Sequence, residues 1–235
     1  MDDTFEFPEP IWEIGSYCVP GQEELGNLRG LFVNRQYEGL DIRPGPGVDR
    51  VENVERLNTS DNSVGTILCL NTFEHVEDIF AGAGELHRVL KPDGMLVMTT
   101  PFNFPIHNHP GDYWRFSPQA LVYLTRNFGT RLIGYHGDEL TPRMTFVVAF
   151  KQTDSVGKLE GRITSIKEQL RRAFAPRKRR MSRRVRMALA KMLVDKKFFR
   201  NYDNFGGVDL WIVGPDGKRA RLAPSETNTE GPCSE

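Results

Sequence analysis

The chain has 235 residues, 39% of them hydrophobic, which is enough for one sizeable buried core. Its net charge is zero, but residues 1–150 carry 11 basic and 21 acidic side chains (−10), and the remainder carries 20 basic and 10 acidic side chains (+10). We therefore expect two parts of the chain that have different functions or attract one another. All apolar runs are shorter than the about 18 residues of a membrane-spanning helix, and the acidic N-terminus MDDTFEFPEP has no signal-peptide pattern, so neither feature is expected.

The first quarter of the chain predicts short strands that alternate with helical or turn segments. A strand at 11–14 ends directly at Gly15, and a strand at 37–42 ends at Asp41. Between them, 23–32 predicts a helix with acidic residues in its first turn, where the helix dipole favours them. Residues 48–54 predict a short third strand.

Residues 66–100 form the most strongly patterned unit of the chain. The apolar run TILCL at 66–70 is typical of a buried parallel strand. Apolar residues then recur at helical spacing, and KPDG at 91–94 predicts a turn that stops the helix before a second strand, 95–100. The predicted apolar face of the helix consists of Ile79, Phe80, Ala83, Leu86, Val89 and Leu90.

After this βαβ unit we expect one more helix and a hairpin. The helix is predicted at 118–127, and the hairpin pairs strands at 131–136 and 146–150. The order of elements predicts an α/β sandwich around a mainly parallel sheet. A further strand at 208–213 is a candidate for addition to a sheet edge.

Composition changes near residue 153, and we divide the chain there. We expect an α/β domain at 1–153, a basic helical extension at 154–223 that contains the candidate added strand, and a disordered tail at 224–235. Arg171–Lys191 holds ten basic residues and no acid. The interpretations left open are an anionic lipid surface, nucleic acid, the acidic domain itself, or a solvated arm without a ligand.

Polar signals follow three of the predicted strands, at the edge where ligands bind in open α/β sheets. Gly15 allows close backbone approach, Asp41 is placed to accept hydrogen bonds from ribose hydroxyls, and Asn71 follows the central strand. Together they indicate a nucleoside-containing ligand. The alternatives are an ordinary turn glycine at position 15 and a solvated acid at position 41.

The runs FEHV at 73–76 and RVLKPDG at 88–94, within residues 61–128, resemble the class I S-adenosylmethionine-dependent methyltransferases, specifically the methyltransferase type 11 group. The resemblance covers roughly residues 11–150. It implies a Rossmann-like, seven-stranded sheet with S-adenosylmethionine over the ends of its strands. The implied cofactor-binding residues are Glu13 and Gly15 of the first motif with Ser16 beside them, Asp41 and Ile42 at the ribose, Asn53 at the adenine, and Leu70 and Asn71 at the methionine part.

The sequence departs from this family in its first motif. Gly15 is followed by Ser-Tyr-Cys-Val-Pro, and the next glycine is Gly21, so the loop must take another path. Val64 and Gly65 stand where the family often has phenylalanine and aspartate. The alternative to an enzyme is therefore a non-catalytic methyltransferase-like module whose basic arm binds an anionic partner.

Segment 101–118 follows the fifth predicted strand, at the edge where an acceptor would meet the methyl group. Methyl transfer needs a positioned acceptor and a group that removes its proton. Histidine has a suitable pKa, so the candidate bases are His107, His109 and His75. The predicted substrate pocket comprises Asp112, Tyr113, Trp114 and Arg115, a run in which the resemblance continues.

Structural roles are the alternative for each of these residues. His75 is equally placed to cap the following helix, Arg115 to pair with Asp112, and Trp114 to pack in the core. The paired histidines with Asp112 lack an evident fourth ligand, so we predict no metal site.

The sequence thus predicts a cytoplasmic S-adenosylmethionine-dependent methyltransferase that modifies an O or N atom of a small or carrier-bound acceptor. Three isolated cysteines, at 18, 69 and 233, show neither metal spacing nor a disulfide framework, in keeping with a reducing compartment.

Overall fold

In the computed structural model, which describes residues 7–19, 21, 27–107, 110–152 and 208–221, one nine-stranded sheet runs through the chain. The strand order is β3-β2-β1-β4-β5-β7-β6-β8-β9. The strands are β1 (Ile11–Ile14), β2 (Tyr37–Asp41), β3 (Arg50–Val51), β4 (Val64–Leu70), β5 (Leu90–Pro101), β6 (Arg131–Gly137), β7 (Pro142–Phe150), β8 (Val208–Val213) and β9 (Arg219–Arg221). Two α-helices, α1 (Ile79–Val89) and α2 (Pro118–Leu124), and two 3₁₀ turns, Arg29–Leu31 and Phe73–His75, complete the described elements.

The sheet has a parallel half and an antiparallel half. Strands β3, β2, β1, β4 and β5 pair in parallel, and β7, β6, β8 and β9 continue the sheet through antiparallel pairs. The expected α/β architecture and late hairpin are confirmed. The described part of residues 1–153 contains seven strands, β1–β7, as expected, and β8, the candidate added strand, joins the sheet at the edge of β6 together with β9. Residues 208–221 therefore return to the main sheet.

The structure of residues 66–100 explains the strong apolar pattern of this part of the sequence. Strand β4 lies between β1 and β5 and is buried along almost its whole length, which requires the continuous apolar run. Helix α1 begins at the cap Asp78, whose carboxylate accepts hydrogen bonds from the N–H groups of Phe80 and Ala81. Its buried residues are Ile79, Gly82, Ala83, Leu86 and Val89.

Two details of this unit differ from expectation. Phe80, predicted on the buried face, is 52% exposed and packs edge-on against Tyr123, while Gly82 takes the buried position. Residues 91–94 do not separate helix and strand, since β5 already begins at Leu90. The pairing of β4 with β5 passes from Val64–Leu90 to Thr66–Met95, so 91–94 form an excursion within the strand.

Other predicted elements are shorter than expected. The third strand contains only Arg50–Val51, and α2 ends at Leu124. Of the helix predicted at 23–32, residues 22–26 lie outside the described part, and residues 27–32 contain only the 3₁₀ turn Arg29–Leu31.

The basic segment Arg171–Lys191 and the tail 224–235 lie outside the described residues. Strand β7 ends at Phe150, residues 151–152 follow it, and the next described residue is Val208, which begins β8 and pairs with His136. Because β6 runs parallel to β5, His136 lies toward the carboxyl edge of the parallel strands. Neither helix in the described part of the chain is long and apolar enough to cross a membrane.

Candidate active site

A cleft of about 590 Å³ opens at the carboxyl edge of the parallel strands. This volume is in the range of sites for small molecules and cofactors. The loops that follow β1, β2, β4 and β5 contribute its walls. Seven of the predicted site residues line it, namely Gly15, Asp41, Ile42, Asn53, Asn71, His75 and His107.

Asp41 presents a buried carboxylate to this cleft. It ends β2 and is 8% exposed. One carboxylate oxygen accepts a hydrogen bond from the N–H of Tyr17 (3.2 Å) and the other from the N–H of Arg43 (3.0 Å). A carboxylate has about four acceptor positions, so both oxygens can accept further hydrogen bonds from a ligand.

Gly15 lies beside Asn71 and Thr72 at the centre of the edge. Its φ of +81° is in the left-handed region, and an added Cβ would lie 2.2 Å from Thr72 Oγ1. That hydroxyl donates to the carbonyl of Ile14 (2.9 Å), so the glycine accommodates a protein side chain. Asn71 also has a positive φ, +53°, which asparagine tolerates better than most residues.

Three predicted cofactor residues do not line the cleft. The carboxylate of Glu13 accepts a hydrogen bond from the Tyr37 hydroxyl, and burial raises the pKa of Glu13. Ser16 is buried beside Gly39, and its hydroxyl has no hydrogen-bond partner among the described residues. Leu70 is half-buried in β4.

The loop after β4 and the loop after β5 are fastened to each other. The N–H groups of Tyr113 and Trp114 donate to the carbonyl of Glu74 at 2.8 and 3.3 Å. The Trp114 indole donates to the carbonyl of Val76 (2.8 Å), and Nδ1 of His75 lies against the carbonyl of Gly111. These contacts differ from the structural alternatives expected for His75 and Trp114, since Asp78 caps the following helix and Trp114 is 40% exposed.

His107 is held by Asp112 and Arg115. Asp112 Oδ2 accepts from the backbone N–H of His107 (2.8 Å) and lies 3.2 Å from His107 Nδ1. Arg115 binds both oxygens of Asp112, and this hydrogen bonding holds the pKa of the carboxyl far below its usual range. Asp112 and Arg115 support the histidine from outside the cleft lining, and Tyr113 and Trp114 also lie outside it. His109 lies outside the described residues.

Glu74 is a cleft residue that the sequence prediction missed. It is 0% exposed, and neither carboxylate oxygen accepts a hydrogen bond from another described residue. Burial raises its pKa to about 7, with its own N–H and the charge of Arg115 opposing the shift. An acid next to His75 after a buried strand was a visible signal, but the complete burial of its side chain depends on the packing of the 110–115 loop.

A sequence comparison shows which family the central part of the chain is similar to. Residues 34–98, which include β2, β4, α1 and most of β5, match the family model described as a methyltransferase domain, of the type 11 group. The match spans 65 of the 235 residues, so this central part of the chain is similar to a methyltransferase domain. The cofactor that this similarity implies is S-adenosylmethionine. A search among curated proteins gave no match.

The chain is also similar to solved structures. An S-adenosylmethionine-dependent methyltransferase from Methanosarcina mazei shares 16% identity over 64% of this chain and 96% of its own, with a TM-score of 0.46. A possible histamine N-methyltransferase from Thermotoga maritima shares 16% over 60% and 82%, with a TM-score of 0.45. The Burkholderia thailandensis 1,6-didemethyltoxoflavin-N1-methyltransferase, solved with S-adenosylhomocysteine, shares 15% over 61% and 71%, with a TM-score of 0.45.

The residues of the methyltransferase domain fit this cofactor. The cleft has sufficient volume, and the buried carboxylate of Asp41 retains acceptor capacity for ribose hydroxyls. Asn53 also reaches the cleft; its Oδ1 accepts the N–H of Glu55 (2.9 Å), and its amide nitrogen can donate to an adenine ring.

Proposed function

We propose that this methyltransferase transfers the methyl group of S-adenosylmethionine to an O or N atom of a small or carrier-bound acceptor. The observation that carries the proposal is the continuity of the cleft. The same cleft is lined by Gly15, Asp41 and Asn71, which we assign to a cofactor half, and by His75 and His107, which we assign to an acceptor half. A donor and an acceptor that share this space can react in line.

In this proposal the chain's own residues bind and orient the reactants. Asp41 accepts hydrogen bonds from the ribose, Asn53 contacts the adenine, and Asn71 lies along the methionine part. The sulfonium of the bound cofactor supplies an activated methyl group. His107 removes the acceptor proton, and the clamp of Asp112 and Arg115 keeps its ring in the cleft.

The acceptor half has both polar and apolar walls. Phe104 and Pro110 line it beside His107, and the Phe104 and His107 rings lie 5.1 Å apart, edge to face. Arg143 and Met144 also reach the cleft from β7. These side chains favour an acceptor with an apolar body and one ionisable O–H or N–H group, because a general base acts only on such a proton.

We further propose that Arg171–Lys191 recruits acceptors that are attached to an anionic surface, either a membrane or a nucleic acid. The support for this proposal is the run of ten basic residues without an acid, followed in the chain by Val208, which begins β8 toward the edge that carries the cleft. We also propose a cytoplasmic location, since neither Cys18 nor Cys69 forms a disulfide in the described chain.

Methyl transfer from labelled S-adenosylmethionine to a panel of phenols, amines, carboxylic acids and carrier-bound sugars tests the proposal. We expect product with at least one O- or N-nucleophile and stoichiometric release of S-adenosylhomocysteine. Cofactor binding without transfer to any member of a broad panel, including cell-extract small molecules and macromolecules, would contradict it.

A further inference from the structure

The cleft contains a second chemical feature, a cluster of Glu74, His75 and His107. One carboxylate oxygen and one ring nitrogen from each histidine lie within 4.8 Å of one another. The His75 and His107 rings meet edge to face with their centroids 4.8 Å apart, and His75 Nε2 lies 3.8 Å from Glu74 Oε1. All three residues line the same cleft.

Glu74 is an unusual member of such a cluster. Its side chain is fully buried, yet both oxygens lack a hydrogen bond from another described residue. A buried carboxylate is normally paired or bound to a cation, because leaving it unpaired is costly. The positive charge of Arg115 acts on Glu74 only through space, since the Arg115 guanidinium is bound to Asp112. A cation between Glu74 and the histidines would satisfy this carboxylate.

Both histidines are oriented as metal ligands usually are. His75 Nδ1 contacts the carbonyl of Gly111, and His107 Nδ1 lies 3.2 Å from both the carbonyl of Pro105 and Asp112 Oδ2. Metal-binding histidines commonly donate one ring N–H to a carbonyl or carboxylate, which fixes the tautomer and directs the other nitrogen at the ion. Nε2 is the nitrogen we assign to coordination in each ring.

We propose that Glu74, His75 and His107 bind a divalent transition-metal ion in the acceptor half of the cleft. Two histidines and one carboxylate are a known ligand set for zinc and for iron(II), and they leave positions open for further ligands. Ligand atoms at about 2.1 Å from an ion lie about 3–4 Å from one another. Side-chain rotations that move the three ligand atoms by about 1 Å would therefore bring them to coordination distance. The sequence analysis predicted no metal site because it considered the histidines with Asp112 and did not consider Glu74 as a ligand.

The proposed ion has a defined use in this enzyme. An acceptor hydroxyl or amine in an open coordination position would be fixed in place, and its proton would be easier to remove. In the ion-bound protein this activation replaces general-base catalysis by His107, because both of its ring nitrogens are then engaged. This use depends on the proposed methyl transfer, whereas metal binding itself does not. The two ideas can therefore fail separately.

The test is a titration of the full-length, tag-free, chelator-treated protein with Co²⁺ alone. Binding is measured from the visible d–d absorption of the bound ion. We expect one ion per chain. Glu74→Gln keeps the side-chain shape but removes the charge. We expect it to weaken Co²⁺ binding by at least about 100-fold, because the loss of a residue that only supports a metal ligand already weakens metal binding by about 10- to 100-fold. His107→Ala should lower the affinity similarly.

Two matched variants separate coordination from general attraction. Glu55→Gln changes another cleft carboxylate, and His87→Gln changes a histidine that packs on Phe128 away from the cleft lining. Both should bind Co²⁺ like the parent protein. Failure of the parent protein to bind, or equal affinity in the parent and Glu74→Gln, would overturn the proposal. A melting curve of each apo variant identifies unfolding, and Glu74→Gln decides the result if His107→Ala is unfolded.

Discussion

Asp41 is the buried cleft residue that we propose binds the cofactor ribose. Its two backbone donors, from Tyr17 and Arg43, hold the carboxylate in position and leave acceptor capacity toward the cleft. We expect Asp41→Ala to weaken S-adenosylmethionine binding by about 10-fold to over 100-fold, since a charge-assisted hydrogen bond contributes about 1.5–3 kcal/mol. Calorimetric titration measures this. The exposed Asp93→Asn serves as the control, and unchanged affinity in Asp41→Ala would refute the assignment.

The histidines of the acceptor half allow a second prediction. Loss of a general base typically lowers the rate by a factor of about 100 to 10,000, and we expect this of His107→Ala, with His109→Ala as its companion. Initial rates and melting temperatures are measured on the same samples. Trp114→Ala is the structural comparison, because the indole fastens the loop through the carbonyl of Val76.

The outcomes of these variants are distinct. Full activity in both histidine variants would rule out general-base catalysis by these side chains and leave positioning as their mechanism. Parallel loss of activity and melting temperature in His107→Ala would assign the residue to the structure of the loop.

Single residues also show where sequence reasoning ends. Asp41 and Asn71 were predictable because they directly follow apolar strand runs, and strand ends meet at one edge. Glu13 has the expected residue type in the expected strand, but its carboxylate is bound to Tyr37 from the neighbouring strand, a pairing fixed by sheet register. Glu74 was missed because its burial depends on contacts with a loop that lies about 40 residues later.

At the level of elements, α1 is tied to the loop before β4 by Arg88 and Glu85. Glu85 accepts two hydrogen bonds from Arg88, each 2.8 Å, and one from the N–H of Leu57 (2.7 Å). Arg88 also donates to the carbonyls of Leu57 and Thr59. The guanidinium and the backbone N–H hold the pKa of Glu85 below its ordinary value of 4.5.

This network predicts a pH-dependent stability difference. A depressed folded-state pKa contributes stability above the ordinary pKa, and that contribution disappears as the pH falls through the folded-state value. We therefore expect Arg88→Met to lower the unfolding free energy by about 1.5–3 kcal/mol at pH 7 and by less below about pH 4.5. Urea unfolding at several pH values measures the difference, with Arg126→Met as the control on an exposed arginine. A deficit that is constant with pH would contradict the role of the Glu85 charge.

Elements with local signals were predicted better than those set by distant partners. Strands β1 and β4 and helix α1 carry clear apolar periodicity, and their bounds agree with the structure within a few residues. The two-residue β3 and the 3₁₀ turn Arg29–Leu31 have no such periodicity, and the sequence overestimated both. Strand β8 was recognised, but its partner β6 could not be, since any free sheet edge offers the same backbone groups.

For the whole molecule, the basic segment is connected at both sides to one sheet. Replacing the seven basic residues of 177–186 by glutamine should abolish binding to anionic vesicles or nucleic acid. Binding by the parent protein should fall steeply as salt is added, because exposed charges are screened within about 8 Å at physiological ionic strength. Co-sedimentation at low and physiological salt measures this. A parent protein that binds neither ligand at low salt would contradict the prediction.

Charge substitution is a cleaner experiment than truncation after residue 153. Truncation also removes β8 and β9, and with them the hydrogen bond from Arg131 to the carbonyl of Gly214 (2.8 Å). The shortened protein would expose the edge of β6, and its losses could not be attributed to charge.

The pairing of β8 with β6 also implies a delay during synthesis between the two strands. Strand β6 ends at Gly137, but its partner begins at Val208, and a ribosome adds about 5–20 residues per second, so the nascent β6 edge waits about 4–15 s for its neighbour. During that interval the newly made hairpin presents an unpaired edge to other nascent chains. Slower elongation within the basic segment should therefore increase aggregation during expression without any change in the finished fold.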